Sequence, residues 1–578
     1  MSLNIQRRVT SDTAFSSELH PVIAKIYSGR GITNPSEIKR KAGELLPVST
    51  LKGIDDAVPL LHEALLQQQH ITIVGDFDAD GATSTALMML GLRKLGFTRV
   101  SYKVPNRFDY GYGLSPELAN DLIKTDTDLI ITVDNGISCI AGIDIVKSAG
   151  IKVIVTDHHL AGHTLPNADA IINPNQPGCE FASKNIAGVG VAFYLLLGFR
   201  AYLRDQGYYQ SMQITPPNLA EYIDLVALGT VADVVKLDTN NRILVHQGLA
   251  RIKSGLCRPG IRALLAMSNK DLNKVKSSDF GFVIGPRLNA AGRLDDMSFG
   301  IRCLLTEDYG QALKMAEDLN DLNNERKDIE QGMRLEAEAV VNDLTLSEGD
   351  VPAGICVYKP DWHQGVIGIV AGRLKEKYYR PTIAFAKADV SATGDSELKG
   401  SARSIPGLHI RDILDEVNTK YPGVILKFGG HAMAAGLSII ESKLAEFQSA
   451  FETVLNQHLT EDVLTQVILT DGELPADCFT VDFCQQLTDA GPWGQGFAEP
   501  TFDGEFTIIN QRLVGAKHLK LVLSDRHGQL FDGIHFNADL SQWPNPLCDQ
   551  AQIVYQLDIN EFRGNINVQL LVRDITQA

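Results

Sequence analysis

The chain has 578 residues, enough for three or four domains, because a single core stops growing near ~250–300 residues. Its 53 Lys and Arg against 70 Asp and Glu give a net charge of −17, which excludes a protein that coats nucleic acid by bulk attraction and confines any polyanion-binding surface to a local patch. Eight cysteines without a CxxC pair exclude a disulfide framework or a cysteine zinc site, and no run reaches the ~18 apolar residues of a membrane span. The cysteines read as small buried hydrophobes in a reducing cytoplasm. The opening MSLNIQRRVTSD also lacks the apolar core of a signal peptide.

Residues 1 to about 50 read as a helical cap, with Asn34-Pro35-Ser36-Glu37 a helix start, and Asp55 to Gln69 has helical spacing. Ile71 to Gly75 has the length and β-branched content of a buried strand. It ends in Asp76, Asp78 and Asp80, after which Gly81 opens a helix. Three carboxylates within five residues repel one another; either a divalent cation binds them or the turn is solvated. Leu129–Val133 ends in Asp134-Asn135-Gly136, and Val153–Thr156 ends in Asp157-His158-His159. Continuous apolar runs with helix-like segments between them predict parallel strands in βαβ units. Tyr222 to Asp233 reads as a helix whose last turn delivers Asp233. Candidate ligands are therefore Asp76, Asp78, Asp80, Asp134, His158 and Asp233. Mixed carboxylate and imidazole suit Mn2+ or Mg2+, and a shared carboxylate suits two ions roughly 3.5–4 Å apart.

From 241 to 304 there are eleven basic against four acidic residues, whereas 305 to 350 has four against thirteen. The first stretch is a candidate floor for a phosphate-bearing strand, a patchy surface being the alternative. Asn289 and Arg293 share a helix face and Arg287 follows a Pro, so these three are candidates for holding a phosphodiester; pairing of the arginines with Asp295 or Asp296 is the structural alternative. Glu307 to Leu344 is an amphipathic connector helix. Residues 351 to about 455 read as a smaller α/β domain. There His363 and Gly365 precede a helix N-terminus, and Ser401 and Arg403 alternate on an extended segment, a geometry suited to a terminal phosphate. Arg107 could reach the same group, and His431, in a Gly-Gly-His turn, either touches bound DNA or packs in the core. Beyond 460, short alternating strands (465–471, 501–509, 511–514, 519–523, 530–536, 552–560, 565–572) suggest a small closed barrel. Arg512, Lys517, His518, Lys520 and Arg526, with Phe531 and Phe536, suit phosphate tracking and base stacking there. Gly491–Phe497 reads as a packed linker.

The blocks GDFDADG, VDNG, TDHH and ALGTVADVV, in that order, resemble the four N-terminal motifs of the DHH phosphoesterase superfamily, and KFGGHAMAAG resembles the signature of its companion DHHA1 domain. GPRLNAAGR, DWHQGVIG and GSARS are similar to blocks of that superfamily's bacterial single-strand-specific 5′→3′ exonucleases, and the resemblance runs from about residue 50 to the end. It implies an α/β fold: a parallel-sheet DHH domain (51–304) and a smaller α/β DHHA1 domain (351–455) joined by a long helix (305–350). A C-terminal OB-like β-barrel (460–578) follows, and 1–50 forms the N-terminal cap. By resemblance Asp78 and Asp134 hold one cation, and Asp80, Asp134, His158 and Asp233 hold a second, Asp134 bridging. Some relatives place a His where this chain has Val74, which leaves the first ligand set open, with Asp76 the substitute. His159 is then a donor to the scissile phosphate and Asp157 orients the site. The implied activity is two-metal hydrolysis of single-stranded DNA from its 5′ end to mononucleotides, in recombination and repair. A 5′-phosphate would be sensed by Ser401 and Arg403. The implied setting is a cytoplasmic monomer working with single-stranded-DNA-binding protein and a RecQ-type helicase. Rival readings are a phosphoesterase of short oligonucleotides, cyclic dinucleotides or pyrophosphate, and a non-catalytic DNA-binding scaffold.

Overall fold

The computed structural model describes residues 4–11, 15, 19–106, 110–348, 351–388 and 396–577, and the side chains of 344–348 are not described. Arg107 therefore lies outside the described residues. The chain forms two compact units, one of Gln6–Asn320 with Leu469–Ala578 and one of Met1–Ile5 with Asp321–Ile468.

The first unit is built on a five-stranded, all-parallel sheet in the order Val100–Lys103, Ile71–Val74, Leu129–Val133, Lys152–Thr156, Ala170–Ile172. The two central strands, Ile71–Val74 and Leu129–Val133, are buried at every position, because helices cover both faces of a parallel sheet. The outer strands Val100–Lys103 and Ala170–Ile172 complete the sheet beyond the three expected from sequence. Pairing Val74 with Thr132 and Val133 with Thr156 aligns the strand ends. The residues just past them therefore emerge at one carboxyl edge, where open α/β sheets bind ligands. Helices Ala79–Lys94, Gly188–Asp205 and Ile223–Ala232 pack against one another. Among the described residues of the first 50 there are a strand, Asn4–Arg7, one α-helix, Pro21–Ser28, and three short 3-10 turns, so the described part of the expected helical cap is mostly turn.

The same unit carries the C-terminal barrel, closed in the order Phe502–Val514, His518–Ser524, Leu530–His535, Asn565–Gln577, Gln550–Phe562. The two strands expected at 501–509 and 511–514 are one continuous strand whose register shifts between Ile508 and Asn510. The one expected at 465–471 stays out of the barrel: Val467–Thr470 pairs with Asn4–Arg7. Phe531, expected to stack on bases, is buried in the barrel beside Phe479 and Phe506, while Phe536 is exposed. Gly491–Phe497 is a packed linker: Trp493 stacks on Phe497, Arg242 lies 4.3 Å over the Phe497 ring, and Ser277 Oγ donates to the Trp493 carbonyl at 2.6 Å.

The second unit holds most of the long helix Tyr309–Glu348 and a mixed five-stranded sheet in the order Lys427–Gly430, Ala434–Ile440, Glu397–Arg403, Thr382–Lys387, Ile355–Tyr358. Helices Ile367–Tyr378, Ile410–Lys420 and Leu444–His458 accompany it. All eight cysteines are free; Cys139, Cys179 and Cys257 are partly exposed rather than buried as expected. No described helix is long and apolar enough to cross a membrane.

Ile131 sits fully buried on a central strand, so Ile131→Ala should cost about 2–5 kcal/mol, read as a lower midpoint in thermal or urea unfolding.

Candidate metal centre

Four chain segments deliver titratable side chains to the carboxyl edge of the parallel sheet. Asp76, Asp78 and Asp80 follow the Ile71–Val74 strand, Asp134 follows Leu129–Val133, Asp157 to His159 follow Lys152–Thr156, and Asp233 caps the helix Ile223–Ala232. Ligand atoms of Asp76, Asp78 and Asp134 lie within 4.8 Å of one another, as do those of Asp80, His158 and Asp233, and those of Asp134, His158 and His159. Asp134 and His158 belong to two groups each, which joins the three into one cage. All six ligands expected from sequence therefore meet, with Asp76 in the group where the Val74 departure had left an opening.

Each carboxylate is aimed by the backbone around it. Asp78 is the N-cap of Ala79–Lys94: its Oδ1 accepts from the Asp80 and Gly81 amides at 2.9 and 3.0 Å, so that oxygen caps the helix and Oδ2 is the one left over. Asp80 is fully buried and lies at the N-terminus of Gly188–Asp205, whose first two amides donate to its Oδ2 and Oδ1 at 2.7 and 2.9 Å. A Cβ at Gly188 would fall 2.7 Å from the Asp134 Cβ, so only glycine lets this helix approach. Asp134 and Val234, the residue after Asp233, adopt left-handed conformations with φ of 60° and 63°. For a β-branched Val this is strain of about 1–3 kcal/mol, accepted at the turn that presents Asp233. Asn135 donates to the carbonyls of Val74 and Val133, tying two ligand-bearing strand ends together.

Asp157 works differently. Its Oδ1 accepts from the amides of His158 and His159 and sits 2.7 Å from His159 Nδ1, and its Oδ2 accepts from the Ile137 amide. Burial opposes ionisation of Asp157, but His159 overrides it and holds the carboxyl below its ordinary value. Burial likewise opposes charge on His159, yet Asp157 pushes it up to about 9. His159 is thus an imidazolium whose Nδ1–H is fixed by Asp157, which leaves Nε2 as the outward donor. The Tyr112 hydroxyl, absent from the sequence-based set, donates to the Asp134 carbonyl at 3.0 Å and lies 3.3 Å from His159 Nδ1.

The remaining acids burden one another. Burial, and after it Asp78, raises Asp80 to about 7; burial, and after it Asp80, raises Asp134 and Asp233 well above the carboxylate range. Burial lowers His158 to about 4, so its ring is neutral and able to ligate. His158 Nε2 lies 3.1 Å from Asp134 Oδ1 and 3.5 Å from Asp233 Oδ2, yet these three buried atoms have no partner in hydrogen-bonding geometry. Orphaned buried atoms converging from three segments, all oxygen or imidazole nitrogen, fit divalent cations of the Mn2+ or Mg2+ type.

The candidate DNA contacts divide. Arg287 spends its guanidinium on the Val283 carbonyl and Asn320 Oδ1, pairing with neither Asp295 nor Asp296, and Asn289 Oδ1 accepts from the Ala79 amide. Arg293 lies one turn on along the helix Gly285–Leu294. In the barrel Arg512 and Lys517 are exposed, whereas Lys520 is paired with Asp532 at 3.1 Å. In the second unit Arg403 donates to Ser401 Oγ at 3.0 Å and to the Ala402 carbonyl. Its Nη2 and Ser401 Oγ each lie 2.9 Å from where a Gly368 Cβ would stand, on the first turn of Ile367–Tyr378. Burial lowers Arg403, and it has no acidic partner among the described residues, the setting of an anion site. His363 Nδ1 accepts from the Gly365 amide just before that helix, and His431 lies between Lys427–Gly430 and Ala434–Ile440. A cavity of about 550 Å3 walled by Val231, Val234, Phe282 and Trp493 contains none of the expected ligands.

The DHH family, N-terminal domain, matches residues 70–230, the DHHA1 domain matches 352–457 and the RecJ OB domain matches 470–574. Proteins named single-stranded-DNA-specific exonuclease RecJ from Salmonella typhimurium and Escherichia coli are each 52% identical over 99% of this chain, covering 98% and 99% of their own lengths. The crystal structure of RecJ in complex with Mn2+ from Thermus thermophilus is similar with a TM-score of 0.78 at 29% identity, covering 97% of this chain and 76% of that one.

Because Gly188 lets a helix reach both Asp80 and Asp134, Gly188→Ala should weaken Mn2+ binding by about 10-fold or more, measured by calorimetric titration. In the parent chain, Mn2+ at 100 times its Kd should add about 2.7 kcal/mol of stability for each site occupied, read as a raised unfolding midpoint that chelator removes.

Proposed function

The chain belongs to the RecJ family of single-stranded-DNA-specific exonucleases, and from that premise we propose that it hydrolyses single-stranded DNA from the 5′ end to 5′-mononucleotides, with two divalent cations, Mn2+ or Mg2+. The observation that carries the reading is the convergence of Asp134, His158 and Asp233 with orphaned, buried ligand atoms at one sheet edge, beside the Asp76-Asp78-Asp80 loop. One cation is assigned to Asp76, Asp78 and Asp134, the other to Asp80, Asp134, His158 and Asp233. Bound by these residues, two such ions would supply Lewis acidity toward water and toward the charge that develops on the scissile phosphate.

The protein's own groups do the rest. Asp134 bridges the two ligand sets and fixes their spacing. His159, kept charged and oriented by Asp157, donates from Nε2 to a non-bridging oxygen of the scissile phosphate. Arg403 and Ser401, beside the first turn of Ile367–Tyr378, bind the terminal 5′-phosphate, with His363 just before that helix, and His431 contacts the backbone of the bound DNA. Arg293, Arg512 and Lys517 track the phosphodiester backbone. The division into cap (1–50), DHH domain (51–304), connector (305–350), DHHA1 domain (351–455) and OB-fold domain (460–578) follows these duties. A cytoplasmic monomer cooperating with single-stranded-DNA-binding protein and a RecQ-type helicase in recombination and repair belongs to the same reading.

A 5′-labelled oligodeoxynucleotide should be degraded in Mn2+ or Mg2+ to labelled mononucleotide; hydrolysis of pyrophosphate alone would overturn the assignment. Asp134→Ala should lower turnover at least 10^3-fold while binding to labelled single strands in chelator stays within a few fold, on the scale of removing a group that organises transition-state charge. Arg403→Ala should remove most of the preference for a 5′-phosphorylated over a 5′-hydroxyl end, about 10-fold or more, checked by competition between the two substrates.

A further inference from the structure

Sequence reasoning assigns Asn289 to a DNA phosphate, but its side chain has another occupation. Asn289 Oδ1 accepts from the Ala79 amide at 2.8 Å, across 210 residues of sequence. Ala79 is the first residue of the helix Ala79–Lys94, and its amide is one of the four that a helix cannot satisfy internally. The other amides of the first turn are taken up locally: those of Asp80 and Gly81 go to Asp78 Oδ1, and the Ala82 amide makes the first intrahelical bond, to the Asp78 carbonyl, so the Ala79 amide is the one satisfied from a distant segment, by Asn289. One turn on from Asn289, a Cβ at Gly292 would fall 1.9 Å from the Phe77 carbonyl oxygen. The helix Gly285–Leu294 therefore lies directly on the backbone of the loop that carries Asp76, Asp78 and Asp80.

We infer that Asn289 is a positioning residue for the cation cage, which takes up the Ala79 amide so that the carboxylates of Asp76 and Asp78 stay turned to the cations, and that it does not bind DNA. A buried amide left without an acceptor costs about 1–3 kcal/mol and draws the nearest acceptor toward it. Here the nearest carboxylates are the ligands themselves. A neutral amide oxygen satisfies the donor without adding a sixth negative charge to Asp76, Asp78, Asp80, Asp134 and Asp233, which explains why Asn rather than Asp suits the position.

The inference rests on the metal-site reading, and the experiment separates the two. Mn2+ binding is measured by calorimetry or by the loss of free Mn2+ spectral signal, and single-strand binding is measured in chelator, for the parent, N289A and N289D. N289A should bind Mn2+ about 10-fold more weakly, the scale of removing a group that orients metal ligands, with DNA affinity in chelator unchanged. N289D retains the acceptor and should recover most of the lost Mn2+ affinity, although its charge would repel a phosphate. If N289A does not fold, N289D alone decides: Mn2+ affinity near the parent's with unchanged DNA binding supports the inference, and weakened DNA binding at unchanged Mn2+ affinity overturns it. A Mn2+ isotherm for N289A that superposes on the parent's overturns it as well. No Mn2+ uptake by the parent would overturn the reading of the site together with the inference.

Discussion

Mutual repulsion among buried carboxylates is the constraint around which the catalytic half of the molecule is arranged. Asp76, Asp80 and Asp134 are each less than 5% exposed, and Asp78 and Asp233 are close beside them. Removing that much like charge from water is strongly unfavourable unless each oxygen meets a positive partner. The fold supplies part of the answer with backbone amides: two from the N-terminus of Gly188–Asp205 on Asp80, two from the first turn of Ala79–Lys94 on its own N-cap Asp78, three in all on Asp157. His159 completes the neutralisation of Asp157. The uncompensated oxygen is gathered where cations fit, so the instability of the cage is also its affinity.

The acidic balance of the whole chain follows from the same division. A net charge of −17 keeps the protein from holding polyanions nonspecifically, and many basic side chains near the barrel are paired: Lys274 with Glu561, Lys276 with Asp558, Lys520 with Asp532. Arg403 is the contrasting case, with no acidic partner among the described residues.

How much of this was legible in the sequence depended on the kind of contact. The central strands were, because burial on both faces writes a continuous apolar run, and their ligands were, because strand ends place acids at one edge. Edge strands Val100–Lys103 and Ala170–Ile172 were not; they are short and only partly buried. A register shift at Ile508 to Asn510 imitated a turn and split one barrel strand in two. Least legible were backbone partners: no side-chain pattern announces that the Gly188 amide reaches Asp80 108 residues away, or that Asn289 serves Ala79. Arg287 shows the same limit from the other side, since nothing in its sequence setting announces that its guanidinium donates to Asn320 Oδ1 and the Val283 carbonyl.

The alignment of strand ends carries an evolutionary consequence. Strand side chains alternate faces, so adding or deleting one residue within Ile71–Val74, Leu129–Val133 or Lys152–Thr156 would turn its ligand away from its neighbours and shift it by about 3.3 Å. Length variation in descendants of this chain is thereby channelled away from the strands and into the connections at the opposite rim of the sheet, where the backbone can grow or shrink without disturbing the chemistry.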